Sequence, residues 1–136
     1  MADTDSSLFS LKRFVVALLT VGVGAVLGME FVPLVGVYVG TLLGGFAAGL
    51  AFEDRPLVES GLAGLFAGMG VLLVSKLIGG GIVDAIIGLI TLQPQLLVIS
   101  AALSLTTGVL GAYFGNDLRD GLTRPVEESP RRRSDL

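Results

Sequence analysis

The side chains in this sequence best suited to chemistry are carboxylates. Glu53, Asp54 and Glu59 fall in one polar segment, and Asp117, Asp120, Glu127 and Glu128 in another. Brought to one surface, they could gather a divalent cation through carboxylate oxygens. Their spacing is not that of a calcium-binding loop, and they read instead as solvated surface groups. The chain has no His and no Cys, which removes Ser-His-Asp triads, Cys-His dyads and the common zinc sites. Residues 22–28, GVGAVLG, approach a dinucleotide-binding turn, but the third glycine comes one place late for G-x-G-x-x-G. The acidic residue expected about 20 positions further on would fall near Gly44–Gly49, where there is none. The sequence therefore predicts no catalytic residue, no cofactor, no metal site and no nucleic-acid partner.

Glycine needs a different explanation. Residues 36–45 read GVYVGTLLGG, and glycine inside a helix costs about 1 kcal/mol against alanine. Everything between these glycines is apolar, and no Asn, Asp or Ser marks a turn. Gly36, Gly40, Gly44 and Ala48 recur every fourth position, along one face of a helix. The spacing returns in Thr20, Gly24 and Gly28, in Ser60, Gly64 and Gly68, and in Ser100, Ser104, Gly108 and Ala112. Small residues let a neighbouring backbone approach closely and gain dispersion contacts that lipid does not supply. Helix packing of the glycine-zipper kind is the expected use of these positions. The spacing leaves open whether the neighbouring helix belongs to the same chain or to a second copy in a homo-oligomer.

The elements that carry these tracks are those of a polytopic membrane protein. The chain is 52% hydrophobic with only 15% charged residues, against nearer a quarter charged for a soluble domain. The charges crowd into residues 1–13, 53–59 and 117–135. Apolar runs cover 14–29, 34–52, 61–78 and 96–115, which predicts an all-α membrane fold of four transmembrane helices in two hairpins. Lys76 near the end of the third run can snorkel to the headgroups. Residues 1–13 form a polar N-terminus, 14–115 the transmembrane domain and 116–136 a polar, disordered tail. Between the third and fourth helices, GGGIVDAIIGLITLQPQ (79–95) is too short in its apolar core to cross about 30 Å of hydrocarbon. It reads as an interfacial or re-entrant helix, or as a helical extension or tight loop at the surface. The first run ends in GMEFVP and lacks a small-residue cleavage site, so it reads as an uncleaved helix.

Basic residues set the expected orientation. Lys12, Arg13, Arg55, Arg119, Arg124 and Arg131–Arg133 share one side of this topology, and Lys76 alone lies on the other. Both termini are expected on the cytoplasmic side of the cell membrane. The arginines of RPVEESPRRRSDL (124–136) could hold anionic headgroups, but read as a solvated terminus that reinforces topology. A faint echo joins GGFAAGLAFED (44–54) to TGVLGAYFGND (107–117); it suits either two duplicated hairpins or two helices ending at one surface.

The segment GGFAAGLAFEDRPLVESGLAGLFAG (44–68) resembles an uncharacterised family of small four-span haloarchaeal membrane proteins. The shared features are a GG-x-x-AG helix end, a short acidic loop and a glycine- and alanine-rich helix. The resemblance implies a membrane location and no particular activity. The expected function is a structural or interaction component of the membrane, not an enzyme. The alternative is a small oligomeric channel or transporter, with a holin-like pore a more distant variant. Glu30 stands at the end of the first helix, not deep within it as small multidrug-proton exchangers require. GTLLGGFAAG (40–49) lacks the asparagine expected of a small fluoride channel.

Overall fold

The computed structural model describes residues 9–33 and 35–124, and among them every regular element is a helix. These are α1 (Leu11–Phe31), α2 (Gly36–Ala51), α3 (Leu57–Thr91) and α4 (Pro94–Thr123). By length and composition α1, α3 and α4 are candidate membrane spans, and α2 is a shorter apolar helix. The sixteen residues of α2 extend roughly 24 Å, against a hydrocarbon thickness of about 30 Å.

Local chemistry sets the ends of these elements. Pro33 supplies no N–H and disfavours helical backbone in the residue before it, so α1 stops at Phe31. The chain re-enters a helix at once, with the Gly36 N–H donating to the Val32 carbonyl at 2.7 Å. Pro56, fully buried, precedes α3, and Pro94 opens α4 at the first helical position, where a missing N–H costs nothing.

Two boundaries differ from the sequence expectation. α1 starts three residues before Phe14 and carries Lys12 and Arg13 on its first turn. α4 passes the expected end at Gly115 and continues to Thr123, so 116–123 are helix and not tail. The remaining tail, with Glu127, Glu128 and the arginine run, lies outside the described residues, as do residues 1–8.

Residues 79–95 resolve into helix on both sides of a sharp break. Gly81 has φ 80 and ψ −174, a backbone conformation open essentially to glycine alone. Past it the chain doubles back. A β-carbon on Gly88 would lie 3.4–3.7 Å from the Cγ, Cδ and Cε atoms of Lys76. A straight helix would hold positions 76 and 88 about 18 Å apart. The short arm 82–91 therefore lies back along the end of the long arm 57–80.

α1 packs against α2 and α3, α4 packs against α2 and α3, and α2 also touches α3 across the middle. The core is made of small side chains: Ala17, Val21, Ala25, Ala48, Ala63 and Ala67, flanked by Phe14, Leu18, Val37 and Val71. Large apolar side chains face outward instead, among them Leu19, Val23, Leu27, Leu43, Phe66 and Phe114.

Candidate functional site

The glycine tracks meet inside one chain. A methyl group on Gly24 would fall into the Gly40 carbonyl, one on Gly28 into the Gly36 carbonyl, and one on Gly44 against the backbone of Thr20 and Val21. The sequence order of these pairs makes α1 and α2 antiparallel. α3 and α4 repeat the arrangement: Gly64 faces the Ser104 carbonyl, Gly68 the Ser104 side chain, and Gly108 the Ser60 carbonyl. Thr20, Gly24 and their partners Gly44 and Gly40 thus occupy the same register in the first hairpin as Ser60, Gly64, Gly108 and Ser104 in the second. Ala48, in sequence a continuation of the Gly36–Gly44 track, sits fully buried in the alanine core.

A further set of glycines joins the two hairpins. β-carbons on Gly45 and Gly49 would run into the backbone of Gly108 and Ala112, and those on Gly111 and Gly115 into the carbonyls of Leu42 and Phe46. Here the paired numbers rise together, so α2 and α4 are parallel. These four glycines were not among the expected packing residues. The signal was present, since 45/49 and 111/115 are also four apart, but α2 carries it on a second face beside the first.

Polar groups collect at the end of the bundle where α1 and α3 begin and α2 ends. Glu59 is not the solvated surface carboxylate expected from its segment: it is 1% exposed, and its Oε1 accepts the Ser10 backbone N–H at 2.9 Å. Ser10 is the N-cap of α1 and makes no side-chain cap of its own, while Glu59 itself lies in the first turn of α3. One carboxylate thus serves the positive ends of two helices. Asn116, the only asparagine in the chain, is equally buried. Its Nδ2 donates to the carbonyls of Phe52 and Glu53 at 3.0 and 3.2 Å, where α2 has run out of its own donors.

The other charges at this end are paired across elements. Arg13 meets Asp54 at 2.6 Å, Arg119 reaches Glu53 at 3.5 Å, and the Arg55 guanidinium lies 4.9 Å from the centre of the Tyr113 ring. Among the described residues no three acidic groups converge in the manner of a metal site. The carboxylates are each turned to a different neighbour. What this end does chemically is join three helix termini and one loop.

The region that holds these contacts, residues 11–124, matches the family described as "Domain of unknown function (DUF8526)". The chain belongs to this family. The DUF8526 match runs from the first residue of α1 to the residue after α4, and so takes in both hairpins and the Glu59 and Asn116 contacts, not only the 44–68 stretch. No curated protein and no solved structure matches the chain.

Proposed function

We propose that this protein is a four-span integral membrane protein of the cell membrane, with both termini cytoplasmic, acting as a structural or interaction component without catalysis. The observation that carries this reading is the inverted distribution of side-chain size. Alanine and glycine fill the interior, and Leu, Val, Ile and Phe cover the outside of all four helices. In water such a surface would be an apolar patch far beyond what soluble monomers expose. In a bilayer it is the side that lipid covers, and close backbone packing replaces the hydrophobic effect between helices. α2, the shortest helix, spans by virtue of its place inside the bundle, and the arm 82–91 lies at the outer interface. The likeness of 44–68 to small haloarchaeal four-span proteins supports the same reading. Extraction of membranes with alkaline carbonate should leave the protein in the pellet; release into the supernatant would rule the proposal out.

The alternative of a small channel or carrier calls for a polar path, and the span hydroxyls are otherwise engaged. Thr20, Thr41, Thr106 and Thr107 each donate to a carbonyl one turn back in their own helix. The glycine faces are also occupied within the chain, so an oligomer would use other surfaces. Ion flux through liposomes containing the purified protein tests this alternative.

A further inference from the structure

At the end of the bundle remote from Glu59, α1 and α3 part and leave a groove of about 410 Å³. Its walls are apolar, formed by residues such as Val26, Val71 and Val74, with Ser75 and Glu30 as its polar side chains. Gly22 and Gly70 line it too, and they differ from the packing glycines: a β-carbon at either would meet nothing within 4 Å. At these two positions the absent side chain leaves a space open and brings no helix closer. Met29, Val71 and Ser75 also border a smaller cavity of about 270 Å³ that reaches the Tyr38–Ser100 hydrogen bond, so the groove continues into the bundle.

Glu30 is the one charged group on the groove. It is exposed, and among the described residues it enters no ion pair. The nearest basic side chain on α3, Lys76, lays its stem against Gly88 and borders a separate pocket with Asp84. The result is an apolar slot with a single uncompensated anion at its mouth. Its volume lies within the range of about 300–1,000 Å³ typical of small-molecule sites, which are mostly apolar with a few placed polar groups. A carboxylate at the margin of a membrane span is costly to keep without a role.

We propose that this groove binds a lipophilic organic cation, its apolar body between α1 and α3 and its charge against Glu30. The chemistry of the walls excludes a hydrophilic ligand, and the sign of the one charge selects a cation over an anion. An apolar cation also concentrates in the membrane, from which the side of the groove is reached.

The test is equilibrium binding of tetraphenylphosphonium to the purified full chain in a neutral detergent, with tetraphenylborate as an ion of the same shape and opposite charge. The phosphonium is expected to bind saturably and at least tenfold more tightly than the borate. Glu30→Gln, a change on an exposed side chain, should weaken phosphonium binding at least tenfold. Gly70→Leu should fill the groove and abolish binding while the unfolding midpoint stays near that of wild type. Equal binding of the two ions, undiminished binding by Glu30→Gln, or no saturable phosphonium binding would each overturn the proposal. None of these would disturb the membrane reading, which carbonate extraction tests separately.

Discussion

The Glu59 carboxylate on α3 and the Ser10 backbone N–H at the head of α1 are joined by a hydrogen bond of 2.9 Å in an almost solvent-free position. A helix begins with four N–H groups that lack an intrahelical acceptor, and here one is met by another helix. The bond spans 49 positions of sequence, so it also fixes how the second hairpin sits on the first. A negative charge at this point faces the positive ends of both helices, which makes its burial tolerable.

Loss of that acceptor should be felt as stability. A hydrogen bond to a charged group contributes about 1.5–3 kcal/mol, and Glu59→Ala removes it while leaving the Ser10 N–H buried and unmet. Glu59→Gln keeps an acceptor oxygen and should fall between Ala and wild type. Thermal unfolding in detergent gives the order; a Glu59→Ala midpoint equal to wild type would mean that the contact contributes nothing.

Asn116 offers the complementary test at the end of α2. Asn116→Asp preserves size but exchanges both N–H donors for oxygen, setting a carboxylate against the carbonyls of Phe52 and Glu53. It should destabilise more than Asn116→Ala, which costs about 1–3 kcal/mol for the two buried acceptors left short of partners. If Asp is as stable as Asn, the carbonyls are bonded to water in solution and the side chain is not their cap.

Much of this architecture is legible in the sequence because the bilayer imposes it. Long apolar runs and small residues at every fourth position follow from the need to cross hydrocarbon and to bring backbones together. The track Gly36, Gly40, Gly44 could be read on one helix alone. Its partner helix could not, because the spacing is the same whichever neighbour it meets. Glu59 was illegible for a related reason: an acid in a polar loop looks solvated until another helix end is placed over it. In GGG at 79–81, composition announces a break but not which glycine takes the left-handed backbone. The echo between 44–54 and 107–117 links segments that touch, with Gly45 against Gly108 and Gly49 against Ala112 at matching positions. A sequence comparison shows the likeness; only the parallel packing of α2 on α4 shows that the two copies meet.

The orientation is open to direct labelling, since the chain has no cysteine. Ser7→Cys, Gly80→Cys and Ser134→Cys place single thiols near the start, beside the Gly81 break and near the end. The strong bias of Lys and Arg predicts that an impermeant thiol reagent applied to intact cells reaches Gly80→Cys alone. Labelling of Ser7→Cys or Ser134→Cys in sealed cells would invert or break the topology.

The glycines divide into those that touch a backbone and those that do not, and the two classes should respond oppositely to the same methyl group. At Gly40 a β-carbon would collide with the Gly24 carbonyl, and backbone atoms cannot rotate away as a side chain can. Gly40→Ala must therefore push α1 from α2 and lose contacts along the crossing, for a cost toward the upper end of about 1–3 kcal/mol, with Gly40→Leu worse. Gly121, on the last turns of α4, has nothing within 4 Å of that point. Gly121→Ala should gain helix propensity and stabilise by up to about 1 kcal/mol. Leu43→Ile, on an outward side chain that is 59% exposed, changes shape where lipid chains can rearrange and should be nearly silent. Unfolding midpoints in one detergent rank the set. If Gly40→Ala and Gly121→Ala shift in the same direction, glycine at position 40 is there for some reason other than the approach of two backbones.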